Sequence, residues 1–263
     1  MGSDVVQVVT GGGLQLEKGS VNGIPFLLCS RKDGKPKPLV VLSHAFRASK
    51  DMWRGKLTEL ASLGYYAVAI DNSGHGERKG AAFESVAFVE GKVDVCAVRM
   101  LIKETADDIP ALVEHFVEQE EVDGGRIGMV GVSMGGFITF RALVIESRIR
   151  VAAPVIGSPY WDDVPEEVAV ITSSEADEAL EGYSRKSSPA RHVDKFYPRA
   201  MLIQVAGKDV HLNSARVVQF HRELQTHYQD APDKLEIVLH EGIGHEFTPL
   251  MWAKVKSWLQ TYL

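Results

Sequence analysis

Short apolar runs alternate with segments of helical spacing from Leu39 to the end of the chain, and this alternation limits the fold more than any other feature. The runs are rich in valine and alanine, as is typical of strands buried on both faces of a sheet. They are Leu39–Leu42, Tyr66–Ile70, Arg126–Gly131, Val151–Ile156, Ala200–Ala206 and Leu235–Leu239. Alternation of this kind predicts a mostly parallel α/β sheet with helices on both faces. A ligand site is then expected beyond the carboxyl ends of its strands.

The remaining elements follow from the same patterns. Two strands are predicted near the start, over Val5–Leu16 and Val21–Ser30, with glycine-rich turns around them. Pro110 lies inside a predicted helix and indicates a kink or a break there. Predicted helices cover about Lys50–Leu63 (closed by Gly64), Ala97–Glu118, Ser214–Tyr228 and Pro249–Tyr262, besides the one that follows Gly131. The sequence predicts a single domain over residues 1–263, with irregular, cap-like excursions at about 79–96 and 158–199.

Composition excludes several classes of protein. The chain has 263 residues, 45% hydrophobic and 24% charged, with a net charge of −6, which argues against nucleic acid or an anionic membrane as partner. Two cysteines are too few for a disulfide framework, and no metal-binding spacing is present. The start of the chain lacks the pattern of a signal peptide, and no apolar run approaches membrane-spanning length. We therefore expect a cytoplasmic protein without cofactor or metal that binds a small molecule, with a homodimer left open.

The stretch from Arg126 to Leu143 carries the strongest chemical signal. An apolar strand ends in Gly131-x-Ser133-x-Gly135 and a segment of helical spacing follows. This is the pattern of a nucleophile elbow, in which a sharp turn holds a serine hydroxyl clear of strand and helix. A pattern this short also occurs by chance. Its position between a predicted strand and a predicted helix makes it stronger evidence for a nucleophile elbow.

A serine hydroxyl needs an adjacent base, usually a histidine held by a carboxylate. We predict His245 as the base, because it lies in a glycine-flanked loop after the last strand. His240 is the alternative, although it abuts that strand. Asp209 follows the strand Ala200–Ala206 and is the predicted carboxylate, with Asp194 as a less suitable alternative because it precedes the strand.

Two backbone N–H groups should bind the negative charge that develops on the substrate carbonyl oxygen. Met134 directly follows the nucleophile, and Phe46 lies in the loop after Leu39–Leu42. We predict these two residues as the oxyanion hole, with His44 bracing the loop. Asp71 and His75, in the loop after the second run, are interpreted as structural.

These motifs together resemble the α/β-hydrolase fold, and within it the dienelactone-hydrolase-like and small bacterial serine carboxylesterases. The resemblance extends from about Leu39 to the end of the chain, and the order Ser133, Asp209, His245 is that of the family. Two positions differ from the family pattern: Ala45 replaces a glycine of the oxyanion loop, and Ser133 stands where dienelactone hydrolases have cysteine. The matching segments are Ser43–Phe46, Asp71-x-x-Gly74-His75-Gly76, Gly131-x-Ser133-x-Gly135, Gly207-x-Asp209 and Gly244–Pro249.

The resemblance implies hydrolysis of carboxylic esters through an acyl-enzyme on Ser133, and the absence of a large lid from the sequence pattern favours short to medium acyl chains. Phe83, Phe88, Tyr160 and Trp161 are the predicted lining of an apolar substrate pocket. The alternatives are an amide or peptide hydrolase and a non-catalytic binding protein on the same scaffold. Lyase, perhydrolase and acyltransferase chemistry also occur on this fold.

Overall fold

The protein is described from a computed structural model, which covers residues 6–9, 13–80, 88–89, 92–162, 182 and 186–263. Its centre is a nine-stranded sheet. The strands are β1 Val6–Val9, β2 Leu14–Val21, β3 Ile24–Arg31, β4 Lys37–Ser43, β5 Tyr66–Ile70, β8 Val122–Val132, β9 Ile149–Val155, β10 Ala200–Ala206 and β11 Leu235–His240. Their order in the sheet is β1-β2-β3-β5-β4-β8-β9-β10-β11. The six strands from β5 to β11 in that order run parallel, and β1, β2 and β3 pair antiparallel at one side. The predicted mostly parallel α/β sheet is confirmed.

Helices cover both faces of this sheet. They are α1 Arg54–Ser62, α2 Val95–Val117, α3 Met134–Ile145, α4 Ser214–Gln225 and α5 Pro249–Tyr262. Side chains alternate across each strand, so neighbours such as Val40 and Val41 enter opposite layers. One apolar layer packs under α2, α3 and α4, and the other packs under α1 and α5. The two layers fix the strands, and with them the loops at the carboxyl edge.

The start of the chain differs from its prediction. Residues 17–20, predicted as a turn, lie inside β2, which pairs with β3 over its whole length. Gly19 belongs to this strand because its missing side chain leaves room for the ring of Phe26 on β3: a Cβ at Gly19 would lie 2.5 Å from that ring. Glycine here allows an aromatic ring to cover the strand, so it does not mark a turn.

The third predicted run is longer than its sequence pattern suggests. β8 begins at Val122, before the predicted Arg126, and its first residues pair with Lys37 and Pro38. A register shift between Pro38 and Leu39 accommodates the glycines that follow Asp123. The sequence pattern misses this part of the strand because the glycines have no side chains to show alternation.

Pro110 does not break the helix that contains it. α2 is continuous from Val95 to Val117, because Ile109, Leu112 and Val113 around the proline are all fully buried in the core. Arg148 also donates a 3.2 Å hydrogen bond to the Pro110 carbonyl. Tertiary packing here outweighs the local cost of the proline, so of the predicted kink or break the break is wrong and the kink stays a prediction.

The structure describes part of each of the two segments that are predicted to be irregular and cap-like. Within 79–96 a small hairpin pairs β6 Phe88–Val89 with β7 Lys92–Val93. Within 158–199 two short 3₁₀ turns cover Pro189–Arg191 and Val193–Lys195. The single-domain prediction for residues 1–263 stays a prediction. Among the described helices, none combines the length and apolar character that crossing a membrane requires.

Candidate active site

Ser133 lies at a strained turn between β8 and α3. Its φ and ψ are 55° and −115°, a conformation that side-chain-bearing residues rarely adopt and that is found mostly at functional sites. The turn is held by its own backbone: Ser133 N donates to Val155 O at 2.9 Å, and Ser133 O accepts from Gly136 N at 2.7 Å. The hydroxyl is therefore presented at the carboxyl edge, as the elbow pattern predicts.

The glycines of the elbow are required by close contacts between backbones. A Cβ on Gly131 would lie 1.9 Å from the carbonyl oxygen of Gly135. A Cβ on Gly135 would lie 2.2 Å from the carbonyl oxygen of Ser43, at the end of β4. Any side chain at either position would force the turn apart, so the sequence pattern reflects the geometry directly.

The structure brings Ser133, His245 and Asp209 together across three loops. Ser133 Oγ lies 2.7 Å from His245 Nε2, and His245 Nδ1 lies 2.8 Å from Asp209 Oδ2. The Asp209 side chain is completely buried, and that of His245 is 22% exposed. The second carboxylate oxygen of Asp209 accepts from the backbone N–H groups of His211 and Leu212, at 2.9 and 3.1 Å. A serine hydroxyl, an imidazole and a buried carboxylate are thus hydrogen-bonded in series.

The loops that carry Asp209 and His245 are bonded to each other. The carbonyl of His240, the last residue of β11, accepts from Gly207 N at 3.0 Å and from Ile243 N at 3.3 Å. Lys208 N then donates to Ile243 O at 2.8 Å. Because both loops share these bonds, the separation of the imidazole and the carboxylate is fixed by the backbone.

The two alternative residues lie elsewhere. His240 is buried, and its Nε2 is 2.9 Å from Gln204 Oε1. Asp194 lies in the turn before β10, with a 65% exposed side chain paired to Lys195. Neither contacts Ser133 or His245 through the hydrogen bonds described for them.

The two predicted oxyanion donors lie on either side of the elbow. Met134 is the first residue of α3, so its N–H belongs to the first turn of a helix, which lacks carbonyl partners within that helix. Phe46 lies in the loop after β4, and its half-buried ring packs edge-on against His75 with 5.3 Å between centroids. The contact of Gly135 with the Ser43 carbonyl brings this loop against the elbow.

His44 braces the same loop. It is fully buried, its Nε2 accepts from Asn72 N at 3.0 Å, and its Nδ1 donates to Ala45 O at 2.7 Å. Burial lowers the pKa of His44 to about 4, so the ring is neutral at pH 7 and serves both bonds as one tautomer. The geometry agrees with the bracing role that the sequence predicts.

A buried ion pair, absent from the sequence predictions, joins the loops after β4 and β5. The Asp71 carboxylate accepts from Lys50 Nζ at 2.6 Å, from Lys50 N at 2.9 Å and from Glu77 N at 2.9 Å. Lys50 Nζ also pairs with Glu77. Lysine is rarely buried without a partner, but in the sequence Lys50 stands among exposed polar residues and gives no sign of burial. Asp71 therefore has the structural role predicted for it.

The predicted substrate-lining residues are only partly described. Phe83 lies outside the described residues, and for Phe88 the description covers only its strand. Tyr160 is half-buried, with its ring edge-on to Phe220 and the Arg216 guanidinium carbon 4.0 Å from its centroid. Trp161 is 2% exposed and belongs to the core. Their part in binding substrate stays a prediction.

His211 is a site residue that the sequence analysis missed. Its exposed ring lies edge-on to His245, with 5.1 Å between centroids, and its backbone N–H holds Asp209. The only signal in the sequence is its position two residues after the predicted carboxylate. Within the part of the chain that the structure describes, no group of three or more His, Cys, Asp and Glu side chains is placed to hold a metal ion.

Known proteins are similar to this chain in sequence or in fold. A protein of Bacillus subtilis strain 168, named "Putative esterase YitV", is 26% identical over 264 residues, which cover 95% of this chain and 100% of that protein. Among solved structures, TT1662 from Thermus thermophilus has a TM-score of 0.74 at 22% identity and covers 94% of this chain and 98% of its own. An acetyl xylan esterase from Paenibacillus sp. R4 has a TM-score of 0.68 at 19% identity, and the match covers 100% of this chain and 88% of that chain. At these identities the solved structures establish the fold alone.

The family itself is established by the sequence. The profile of the alpha/beta hydrolase family matches residues 40–258, which include every loop at the carboxyl edge of the parallel strands. The resemblance predicted from the sequence motifs is confirmed, and this chain belongs to the alpha/beta hydrolase family.

Proposed function

We propose that this protein is a serine carboxylesterase in which Ser133 is the nucleophile, His245 the general base and Asp209 the residue that orients the imidazole. The observation that carries the proposal is the continuous series of hydrogen bonds from Ser133 Oγ through His245 to the buried Asp209. It stands on an elbow whose strained serine is a feature of acyl-transfer sites.

The hydrogen-bonded series supports the following acylation step. Ser133 Oγ forms a bond to the ester carbonyl carbon while its proton passes to His245 Nε2. The carbonyl oxygen becomes negatively charged and accepts hydrogen bonds from the N–H groups of Met134 and Phe46. The tetrahedral intermediate then expels the alcohol, which takes the proton from Nε2 as the carbon–oxygen bond breaks. Asp209 keeps Nδ1 protonated and stabilises the transient imidazolium.

Deacylation repeats the sequence with water. His245 takes a proton from a water molecule, whose oxygen attacks the acyl carbon. The bond to Ser133 Oγ breaks, Oγ recovers the proton, and the carboxylic acid leaves. Because each step starts and ends with neutral His245, a single histidine serves both halves of the reaction.

We propose esters of short to medium acyl chain as substrates. The names of two similar proteins support ester chemistry, since one is called an esterase and the other an acetyl xylan esterase. A cytoplasmic, cofactor-free enzyme acting on a small molecule is part of the same proposal.

The test is p-nitrophenol release from a series of acyl esters by wild type and Ser133→Ala. We expect activity on short chains that falls with chain length and disappears in the variant, while both proteins have the same circular dichroism spectrum. A p-nitroanilide with the best acyl group separates ester from amide hydrolysis. A folded wild-type protein that turns over no ester would overturn the proposal.

A further inference from the structure

The loop after β10 places a second imidazole against the candidate base. The rings of His211 and His245 lie edge-on, with 5.1 Å between their centroids and 81° between their planes. Aromatic pairs favour this arrangement because the electron-poor edge of one ring faces the electron-rich face of the other. Among the aromatic contacts of the residues that the structure describes, this is the one that His245 makes. The contact therefore acts directly on the ring that transfers protons in the proposed reaction.

One buried carboxylate determines the position of both residues. Asp209 Oδ1 accepts from the backbone N–H groups of His211 and Leu212, at 2.9 and 3.1 Å. Asp209 Oδ2 lies 2.8 Å from His245 Nδ1, and the Asp209 side chain is 0% exposed. The first oxygen fixes the backbone that carries His211, and the second fixes the imidazole of His245. The contact between the two rings therefore belongs to the same unit as the candidate triad.

The His211 ring is not needed to hold its own loop. Within the described part of the chain the ring takes part in no hydrogen bond or ion pair, and the residue is exposed. The loop is held instead by the backbone N–H of His211, which donates to Asp209. By contrast, the buried histidines His44 and His240 are hydrogen-bonded through their rings. The contact with His245 is therefore the interaction through which the His211 ring affects the site.

The imidazole of His245 loses one of its two restraints during the proposed reaction. Its ring is held at both nitrogens, by Ser133 Oγ at 2.7 Å and by Asp209 Oδ2 at 2.8 Å. Once Ser133 is acylated, Oγ is an ester oxygen and has no proton to donate to Nε2. In the acyl-enzyme the imidazole is then held by Asp209 and by its contact with His211.

We propose that His211 is a positioning residue, whose ring restrains the imidazole of His245, and that this restraint serves mainly deacylation, when the bond from Ser133 is absent. The inference rests on the proposed esterase function. A restrained imidazole keeps Nε2 directed at the attacking water, and it takes the proton of that water while the water oxygen bonds to the acyl carbon. Removal of the His211 ring should therefore slow the second half of the reaction more than the first.

Steady-state and stopped-flow kinetics with p-nitrophenyl acetate separate the two halves. Because p-nitrophenolate leaves readily, kcat reports deacylation and kcat/KM reports acylation. His211→Ala retains the backbone N–H that holds Asp209 and removes only the ring. We expect kcat to fall about 3- to 10-fold, the range for loss of an aromatic pair, and kcat/KM to change by less than about twofold. KM then falls with kcat, and the burst of p-nitrophenol is followed by a slower steady rate.

Two further variants separate the ring contact from other effects. His211→Phe keeps an aromatic ring and should restore kcat to within about twofold of wild type. His227→Ala removes an exposed histidine in the turn after α4 and should leave kcat and KM unchanged. Wild-type kinetics in His211→Ala, an equal fall of kcat and kcat/KM, or no recovery in His211→Phe would overturn the proposal. The esterase function would still stand, provided that Ser133→Ala is inactive.

An NMR measurement tests the contact without turnover. Ser133→Ala removes the bond at Nε2, so the imidazole of His245 is held in this variant as in the acyl-enzyme. We expect the His245 Nδ1 proton to exchange with water about 3- to 10-fold faster in the Ser133→Ala, His211→Ala double variant than in Ser133→Ala. This difference is expected whether or not wild type cleaves esters. Equal exchange rates, or no observable Nδ1 proton in Ser133→Ala, would overturn the proposal.

Discussion

The Asp209 side chain is completely buried, and its surroundings explain why it is suited to hold an imidazole. One carboxylate oxygen accepts from two backbone N–H groups, and the other faces His245 Nδ1. The side chain is 0% exposed, so water does not compete for either oxygen. A carboxylate held in this way is positioned to accept from Nδ1–H and to stabilise a positive charge on the imidazole beside it.

This geometry predicts a large effect of Asp209→Asn. The amide oxygen can still accept from the two backbone N–H groups, but the amide cannot stabilise the imidazolium or keep the productive tautomer. We expect kcat on the best p-nitrophenyl ester to fall by about 10⁴-fold, with the melting temperature close to that of wild type. Asp194→Asn, at an exposed acid before β10, is the matched control and should retain full activity. A loss of less than tenfold in Asp209→Asn would contradict the role of Asp209.

At this scale the sequence predicts the site residues that follow the end of a strand and misses those that are placed by loop conformation. Ser133, Asp209 and His245 each follow a strand, so the parallel sheet alone places them at one edge. The ring of His211 reaches His245 through the local conformation of the loop that contains Asp209. No pattern in the sequence encodes that conformation.

At the scale of elements, the elbow is a contact between three backbones rather than a property of one loop. α3 begins directly after Ser133, and Gly135 in its first turn touches the Ser43 carbonyl at the end of β4. Gly136 in the same turn faces Gly157, beyond the end of β9. Helix α3 can approach two neighbouring strands only because these positions lack a side chain.

We therefore predict opposite effects for two glycine-to-alanine substitutions in helices. Gly135→Ala places a Cβ 2.2 Å from Ser43 O, so it should lower the free energy of unfolding by about 1–3 kcal/mol and displace the oxyanion loop, with a loss of esterase activity. Gly55→Ala, in α1, has no heavy atom within 4 Å of its Cβ and should raise that free energy by up to about 1 kcal/mol. Urea unfolding of both variants measures the difference. A Gly135→Ala protein as stable and active as wild type would refute the close contact.

The bounds of strands and helices agree best with the prediction where one local feature of the sequence marks the end of the element. β10 and α5 have the predicted bounds, because a buried apolar run and a proline after a capping Thr248 each mark an end clearly. The limits of β2 and β8 were predicted poorly, because glycines inside these strands match a ring or a bulge in the neighbouring strand. Such cross-strand contacts are absent from the local sequence.

At the scale of the whole molecule, the loops after β4 and β5 are joined by hydrogen bonds between buried polar groups, and these bonds depend on the protonation of a histidine. His44 bonds to the backbone of Asn72, and Asn72 Nδ2 donates to the carbonyl of His44 at 2.9 Å. The first bond needs a neutral imidazole, because Nε2 is its acceptor. The second needs His44 to keep its position, because the acceptor is the backbone carbonyl of that residue. Stability of the fold and integrity of the candidate site are thus linked through one histidine.

The lowered pKa of His44 determines how the stability of the fold changes with pH. Its ordinary value is 6.5, and burial lowers it to about 4 in the folded protein. Between these values the unfolded chain binds the proton and the folded protein does not, so the stabilisation is complete above about pH 6.5 and is lost as the pH falls toward 4. The difference corresponds to at most about 3 kcal/mol of unfolding free energy.

We expect wild type to lose unfolding free energy between pH 7 and pH 4.5 more steeply than His44→Gln, whose amide can donate and accept but does not titrate. Urea unfolding at several pH values measures both slopes, and His75, whose pKa burial also lowers, leaves a residual slope in the variant. An NMR titration of the wild-type imidazole provides a second measurement if the variant folds poorly, since His44 should stay neutral down to about pH 5. Protonation near pH 6.5 in the folded protein would show that the imidazole is not held in the neutral form, because a proton on Nε2 is incompatible with the bond from Asn72 N.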